Sequence, residues 1–169
     1  IYILNKDTEP AEMFDLIKLL DNGITFGIIS EAGLPAVADP GAQLVKVAQQ
    51  KRIQVVPLVG PSSILLALMA SGMNGQNFAF HGYLPIDKTE RKKKLAHLEN
   101  ESSKTGGAQI FMETPYRNNQ MVEDLTKILR SETKICVACH ITLDDEDIRT
   151  LAIKEWKNEK YDYHKRPAI

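Results

Sequence analysis

The sequence predicts an α/β protein built as two domains. Two observations carry this expectation. Short continuous apolar runs alternate with stretches of helical periodicity, and the loops after the apolar runs are rich in Gly, Pro and Ser. Buried apolar strands alternating with helices argue for a parallel sheet covered by helices. A chain of 169 residues suits one domain or two small ones.

The first domain is expected over residues 1–76. Met13, Phe14, Ile17 and Leu20 recur at helical spacing over 10–20, and Asp21-Asn22-Gly23 stops that helix. Residues 24–29 then read as a buried strand. A turn follows, Ser30-Glu31-Ala32-Gly33-Leu34-Pro35. Asp39 as N-cap and Pro40 in the first helical position are expected to open the next helix, with Leu44, Val45, Val47 and Ala48 on its apolar side. Residues 53–59 read as a second buried strand, and Gly60-Pro61-Ser62-Ser63 turns the chain into a third helix ending near Ser71-Gly72. Two strands are few for an α/β domain, so the N-terminal domain reads as incomplete.

Asn74-Gly75-Gln76-Asn77 reads as a linker to a second domain over 77–169. There, strands are expected at 78–83, 109–113, 134–141 and 148–153, helices at 89–101 and 118–129, and the start of a last strand at Ala168-Ile169.

Composition narrows the function classes. The 21 basic and 22 acidic residues leave a net charge of −1, so a nucleic-acid contact has to come from a local patch. The basic cluster is Lys88, Arg91, Lys92, Lys93 and Lys94, which a solvated helix face explains equally well. The apolar run 64–70 is far short of the roughly 20 residues of a membrane span. A cytoplasmic protein without a membrane partner is the plain expectation. The two cysteines, Cys136 and Cys139, share one strand, where residues three apart face opposite sides. Core thiols are expected there, and no metal.

Ligands of open α/β sheets bind outside the carboxyl ends of strands. Two loops sit there. In 30–35, Gly33 allows close backbone approach to a ligand. In 60–63, two hydroxyls and the free N–H groups of a helix start could seat a carboxylate or ribose. Both could equally be plain strand-to-helix turns. Neither is a Gly-x-Gly-x-x-Gly or P-loop pattern.

Taken together, several motifs are recognisable. Ser30-Glu31-Ala32-Gly33-Leu34-Pro35-Ala36-Val37-Ala38-Asp39-Pro40-Gly41 resembles "S-[DE]-A-G-x-P-x-x-x-D-P-G" of the small-subunit rRNA ribose 2′-O-methyltransferase I family, within the tetrapyrrole methylase superfamily. The stretch Pro57 to Ser63 is similar to "P-x-P-G-x-S-[AS]", with Val59 for the usual proline. Phe80-His81-Gly82-Tyr83-Leu84-Pro85 with Arg91 resembles "F-x-G-[FY]-L-P" and its downstream arginine. Glu113-Thr114-Pro115-Tyr116-Arg117 resembles "E-[ST]-P-x-R", and Lys165-Arg166-Pro167 resembles the start of the final strand. Val137 to Thr142 departs from the family, standing where it usually reads "A-R-E-L-T-K". The family's first strand and its glycine loop have no counterpart.

The resemblance implies a class III methyltransferase architecture and a homodimer. It implies S-adenosylmethionine as cofactor, in the cleft between the domains. Carried over by position, Ala32, Gly33, Leu34 and Val37 would touch it from the first loop, and Ser62 and Ser63 from the second. Glu113 and the backbone of Ile141 would approach it from the second domain, with Pro167 and Ala168 near the adenine. The implied substrate is RNA of the small ribosomal subunit. Arg91, Lys92 and Lys93 of the basic cluster and the planar fork of Arg117 are its candidate contacts. Arg117 could instead pair with Glu113 or Asp124. A hydroxyl is a poor nucleophile, so a general base would help. Glu31 is the candidate, with an ordinary loop carboxylate as the alternative. Methylation of a tetrapyrrole or other small molecule, or a non-catalytic binding role, are the rival functions.

Overall fold

The computed structural model describes residues 1–5 and 8–169. They form two compact units, Ile1–Ser62 and Ser63–Ile169.

In the first unit, α1 spans Pro10–Asp21 and α2 spans Ala42–Gln50. The Glu12 carboxylate accepts the Glu9 N–H at 3.0 Å, satisfying one free donor at the start of α1. Both helices end in the same way. Gly23 takes φ +79° after α1, and Arg52 takes φ +57° after α2. The Ile24 N–H then reaches back to Leu19 O (3.1 Å) and the Ile53 N–H to Ala48 O (2.9 Å). These are Schellman closures, which normally favour glycine at the left-handed position. Leu16, Leu44 and Ala48 are buried, and Lys51 pairs with Asp21 at 2.7 Å.

Two expectations need correction here. Residues 24–29 and 53–59 form no strand. A strand exists only as part of a ladder, and neither run has a ladder partner among the described residues. Ile29, Val56, Leu58 and Val59 are exposed rather than buried. The second helix begins at Ala42, not at Pro40. Ala38 at φ +55° and Gly41 at φ +121° are not helical, and the Ala36 N–H bonds Pro40 O at 3.1 Å, closing a turn before the helix.

The second unit holds α3 (Ser63–Ser71), β1 (Phe78–Tyr83), α4 (Lys88–Thr105), β2 (Ala108–Met112), α5 (Asn118–Ile128), β3 (Lys134–Cys139), β4 (Asp147–Ala152) and the single turn α6 (Ile153–Trp156). β1 and β2 pair in parallel, joined by the α4 crossover. β3 and β4 pair antiparallel, because the connection 140–146 is too short for a crossover. The strands thus form two separate two-stranded sheets, one parallel and one antiparallel. Ala168 bridges to Cys139, and Ala138 and Ile169 exchange N–H···O bonds of 2.8 and 2.9 Å, so the expected last strand begins against β3.

The expected linker at 74–77 is a fixed turn. The Asn74 amide donates to Gly106 O (2.9 Å), the Asn77 amide to Thr105 O (3.2 Å), and the Ala108 N–H donates to Asn77 O (2.9 Å). This turn holds the start of β1 against the end of α4.

Leu84, Leu95, Leu98, Met121, Leu125 and Ile153 form one cluster, and Val122, Val137, Cys139, Trp156 and Tyr163 another. Trp156 donates its indole N–H to Ile135 O at 3.1 Å, so it packs inside rather than offering a stacking platform. α3 belongs here because Ile64 and Leu68 pack on Ala108 and Ile110.

Candidate cofactor site

The first unit brings its two candidate loops into contact. A Cβ at Gly60 would stand 3.0 Å from Leu34 Cδ2. A side chain at position 60 would have to displace the end of Leu34 by a few tenths of an ångström, so glycine allows this close approach to the 30–37 loop. Within that loop, the Ser30 hydroxyl donates to Ala32 O (2.8 Å) and accepts the Ala32 N–H (3.3 Å). Gly33 has φ +72°, and a Cβ there would meet nothing within 4 Å. Its backbone is therefore left open. Ala36 and Ala38 have φ +65° and +55°, costing roughly 1 kcal/mol or more each.

Ala32, Gly33 and Val37 are exposed and Leu34 is half-buried. Ser62 closes the first unit and Ser63 opens α3 in the second. Glu31 is exposed and makes no ion pair among the described residues.

The second unit assembles its own part at the carboxyl ends of β2 and β3. The loop after β2, 113–117, meets the segment 163–168 through the Lys165 N–H and Pro115 O (2.9 Å). The loop after β3 meets the same segment through the His140 N–H and Pro167 O (3.0 Å). The buried Asn118 amide donates to Arg166 O (2.6 Å) and Tyr163 O (3.3 Å), and Asn119 Oδ1 accepts the Tyr163 N–H (2.7 Å). Glu113, Ile141, Pro167 and Ala168 are thereby gathered at one end of the unit.

Glu113 is buried. Its Oε1 accepts the Thr114 N–H (2.6 Å) and the Arg117 guanidinium, from Nε at 3.0 Å and Nη2 at 2.5 Å. Its Oε2 makes no hydrogen bond among the described residues. Arg117 therefore takes the ion-pair reading, and its fork is spent on Glu113 rather than left free for a phosphate.

Arg91 is likewise turned inward. Its side chain is 6% exposed and pairs with Asp124, from Nη2 at 2.6 Å. Nη1 donates to Pro85 O (3.1 Å) and Ile86 O (2.7 Å). This geometry ties the turn after β1 to α5 and removes Arg91 from the basic patch. Lys93 pairs with Glu90 at 2.8 Å on the exposed face. Lys88 and Lys92 are exposed, Lys94 is half-buried, and all three are without ion pairs among the described residues.

Sequence reasoning missed one cluster. Asp145 Oδ2 lies 2.8 Å from His140 Nδ1 and 2.9 Å from Arg166 Nη2. The His140 hydrogen bond, more than any other influence, holds the Asp145 carboxyl below its ordinary range. His140 and Thr142 have φ +51° and +70°, and Lys165 has +60°. Of the six non-glycine residues with positive φ among those described, Ala36, His140, Thr142 and Lys165 lie in the candidate loops and Ala38 directly follows the first of them. Strain of this kind concentrates where a loop is held for function.

Burial pushes the Cys136 and Cys139 thiols up, so both stay protonated at neutral pH. Among the described residues there is no cluster of three or more potential metal ligands. No described helix is long and apolar enough to cross a membrane.

The model of the tetrapyrrole (corrin/porphyrin) methylases matches residues 5–156. The chain belongs to this family. Among similar curated proteins, "Ribosomal RNA small subunit methyltransferase I" of Vibrio cholerae is 32% identical over 154 residues, 91% of this chain and 52% of that protein. Proteins of the same description from Haemophilus influenzae and Bacillus subtilis are 34% and 35% identical, over 92% and 85% of this chain and 54% and 49% of their own. The chain spans about half the length of these curated relatives. The crystal structure of the methyltransferase CobJ superposes with a TM-score of 0.61 at 16% identity, covering 95% of this chain and 70% of that one. That likeness shows a tetrapyrrole methylase fold.

Proposed function

We propose that this chain carries the cofactor loops of an S-adenosylmethionine-dependent methyltransferase that modifies a ribose 2′-hydroxyl of small-subunit ribosomal RNA. The observation that carries the reading is the approach of Gly60 to Leu34, which sets two loops together with open backbone at Gly33. The named relatives support the RNA substrate.

The residues present fit the cofactor. In the first unit, Ala32, Gly33, Leu34, Val37 and Ser62 offer small side chains, open backbone and a hydroxyl. In the second, Ser63, the backbone of Ile141, and Pro167 and Ala168 would contact it. The free Oε2 of the buried Glu113 would accept a hydrogen bond from its polar groups. When bound, the cofactor supplies an activated methyl group on a sulfonium. The protein then has to orient the hydroxyl in line and exclude water. Lys88, Lys92 and Lys94, with Lys93 released from Glu90, would meet phosphates. The active form is a homodimer working in the cytoplasm, and 1–76 and 77–169 are its domains.

The test is labelled methyl transfer to small ribosomal subunits taken from cells that lack this protein. Label in the ribosomal RNA supports the reading. The family description favours a second reading, methylation of a tetrapyrrole. Label confined to tetrapyrrole intermediates would replace the first reading with the second.

A further inference from the structure

We propose that His140, oriented by Asp145, is the group that accepts the proton of the hydroxyl being methylated; this rests on the methyltransferase reading above. His140 stands directly before Ile141, and its N–H bonds Pro167 O at 3.0 Å. It is thus bracketed by two residues assigned to the cofactor. Its side chain is 18% exposed, and Nε2 makes no hydrogen bond among the described residues.

Nδ1 lies 2.9 and 2.8 Å from the two carboxylate oxygens of Asp145. A carboxylate only accepts, so Nδ1 carries a proton, and in the neutral ring Nε2 presents its lone pair. Arg166 Nε, 3.3 Å from Nδ1, cannot donate to a protonated nitrogen. The Arg166 fork is instead satisfied through Nη2, by Asp145 Oδ2 (2.9 Å) and Asp145 O (2.7 Å). The arrangement has the form of a base held by a carboxylate, which fixes the tautomer and stabilises the imidazolium once formed.

The charged groups around it are few. Asp145 and Arg166 touch the ring, Glu146 accepts the Thr142 N–H, and Asp147 opens β4 opposite Cys139.

The step balances. The hydroxyl oxygen forms its bond to the methyl carbon as the carbon–sulfur bond breaks. That electron pair stays on sulfur, which becomes a neutral thioether. The hydroxyl proton passes to Nε2 of His140. The left-handed backbone at His140 holds the ring on this loop at a conformational cost.

Two measurements test the proposal. In long-range proton–nitrogen NMR spectra of the chain labelled on histidine, neutral His140 should be the Nδ1-protonated tautomer, and Asp145→Asn should shift it toward the other. An Nε2-protonated ring overturns the proposal. In methyl transfer to small ribosomal subunits, His140→Asn, which tolerates the left-handed backbone, should lower kcat about a hundredfold or more while leaving affinity for S-adenosylhomocysteine unchanged. The acidic limb of the pH–rate profile should vanish with it. Wild-type transfer with undiminished His140→Asn activity overturns this inference alone. Absence of transfer by the wild type overturns the methyltransferase reading and this inference with it.

Discussion

Arg91 and Asp124, 33 residues apart, form an inward ion pair whose Nη2–Oδ2 distance is 2.6 Å. The remaining Arg91 donors close the turn after β1. Removing one partner leaves the other charge buried without compensation. Arg91→Ala should therefore destabilise the second unit by about 3 kcal/mol, read as a lower urea midpoint. A surface arginine would change it by little.

The cations that remain outside are Lys88, Lys92, Lys93 and Lys94. Replacing Lys88, Lys92 and Lys94 with alanine should weaken RNA binding and flatten its salt dependence, because each phosphate contact releases counterions. The melting temperature should stay close to wild type. Unaltered salt dependence would assign the cluster to a solvated helix face.

Arg52 sits at φ +57° in the position that glycine holds after α1. Arg52→Gly should raise the stability of the first unit by about 0.5–1 kcal/mol, the left-handed penalty relieved less the entropy of glycine. The denaturation midpoint checks it, and a lower midpoint would contradict the closure described for α2.

Asp145 is held as a carboxylate chiefly by His140, below its ordinary value of 3.8. A depressed carboxyl contributes stability that is fully present above its unfolded value. That contribution is lost as the pH falls through the lower folded value. Asp145→Asn should therefore lower thermal stability at neutral pH and converge with wild type at acid pH below both values. Melting curves across that range test it, and parallel curves would contradict it.

Much of the second unit was legible because its signals are local. Asp87 caps α4 by accepting the Glu90 N–H at 2.9 Å, Gly106 ends it at φ +65°, and the apolar spacing of α5 matches its buried Met121 and Leu125. The runs 24–29 and 53–59 were legible only as apolar sequence. Pairing is a property of the partner, and neither run has one among the described residues. Arg91 read as one more cation in a basic stretch because nothing local marks its distant partner. The Asp145 bridge went unseen for the same reason: it joins a loop after β3 to a residue 21 positions on. The loops 30–37 and 60–63 were legible as glycine-bearing turns, but their contact at Leu34 and Gly60 is a tertiary fact.

That contact offers the sharpest test of the cofactor site. Calorimetric titration of S-adenosylhomocysteine into the chain should give binding, and Gly60→Val, which drives a side chain into Leu34, should weaken it at least tenfold. Gly33→Val should act in the same direction by blocking the open backbone. Absence of both heat and thermal protection at high ligand, or equal affinity in wild type and Gly60→Val, would contradict the account.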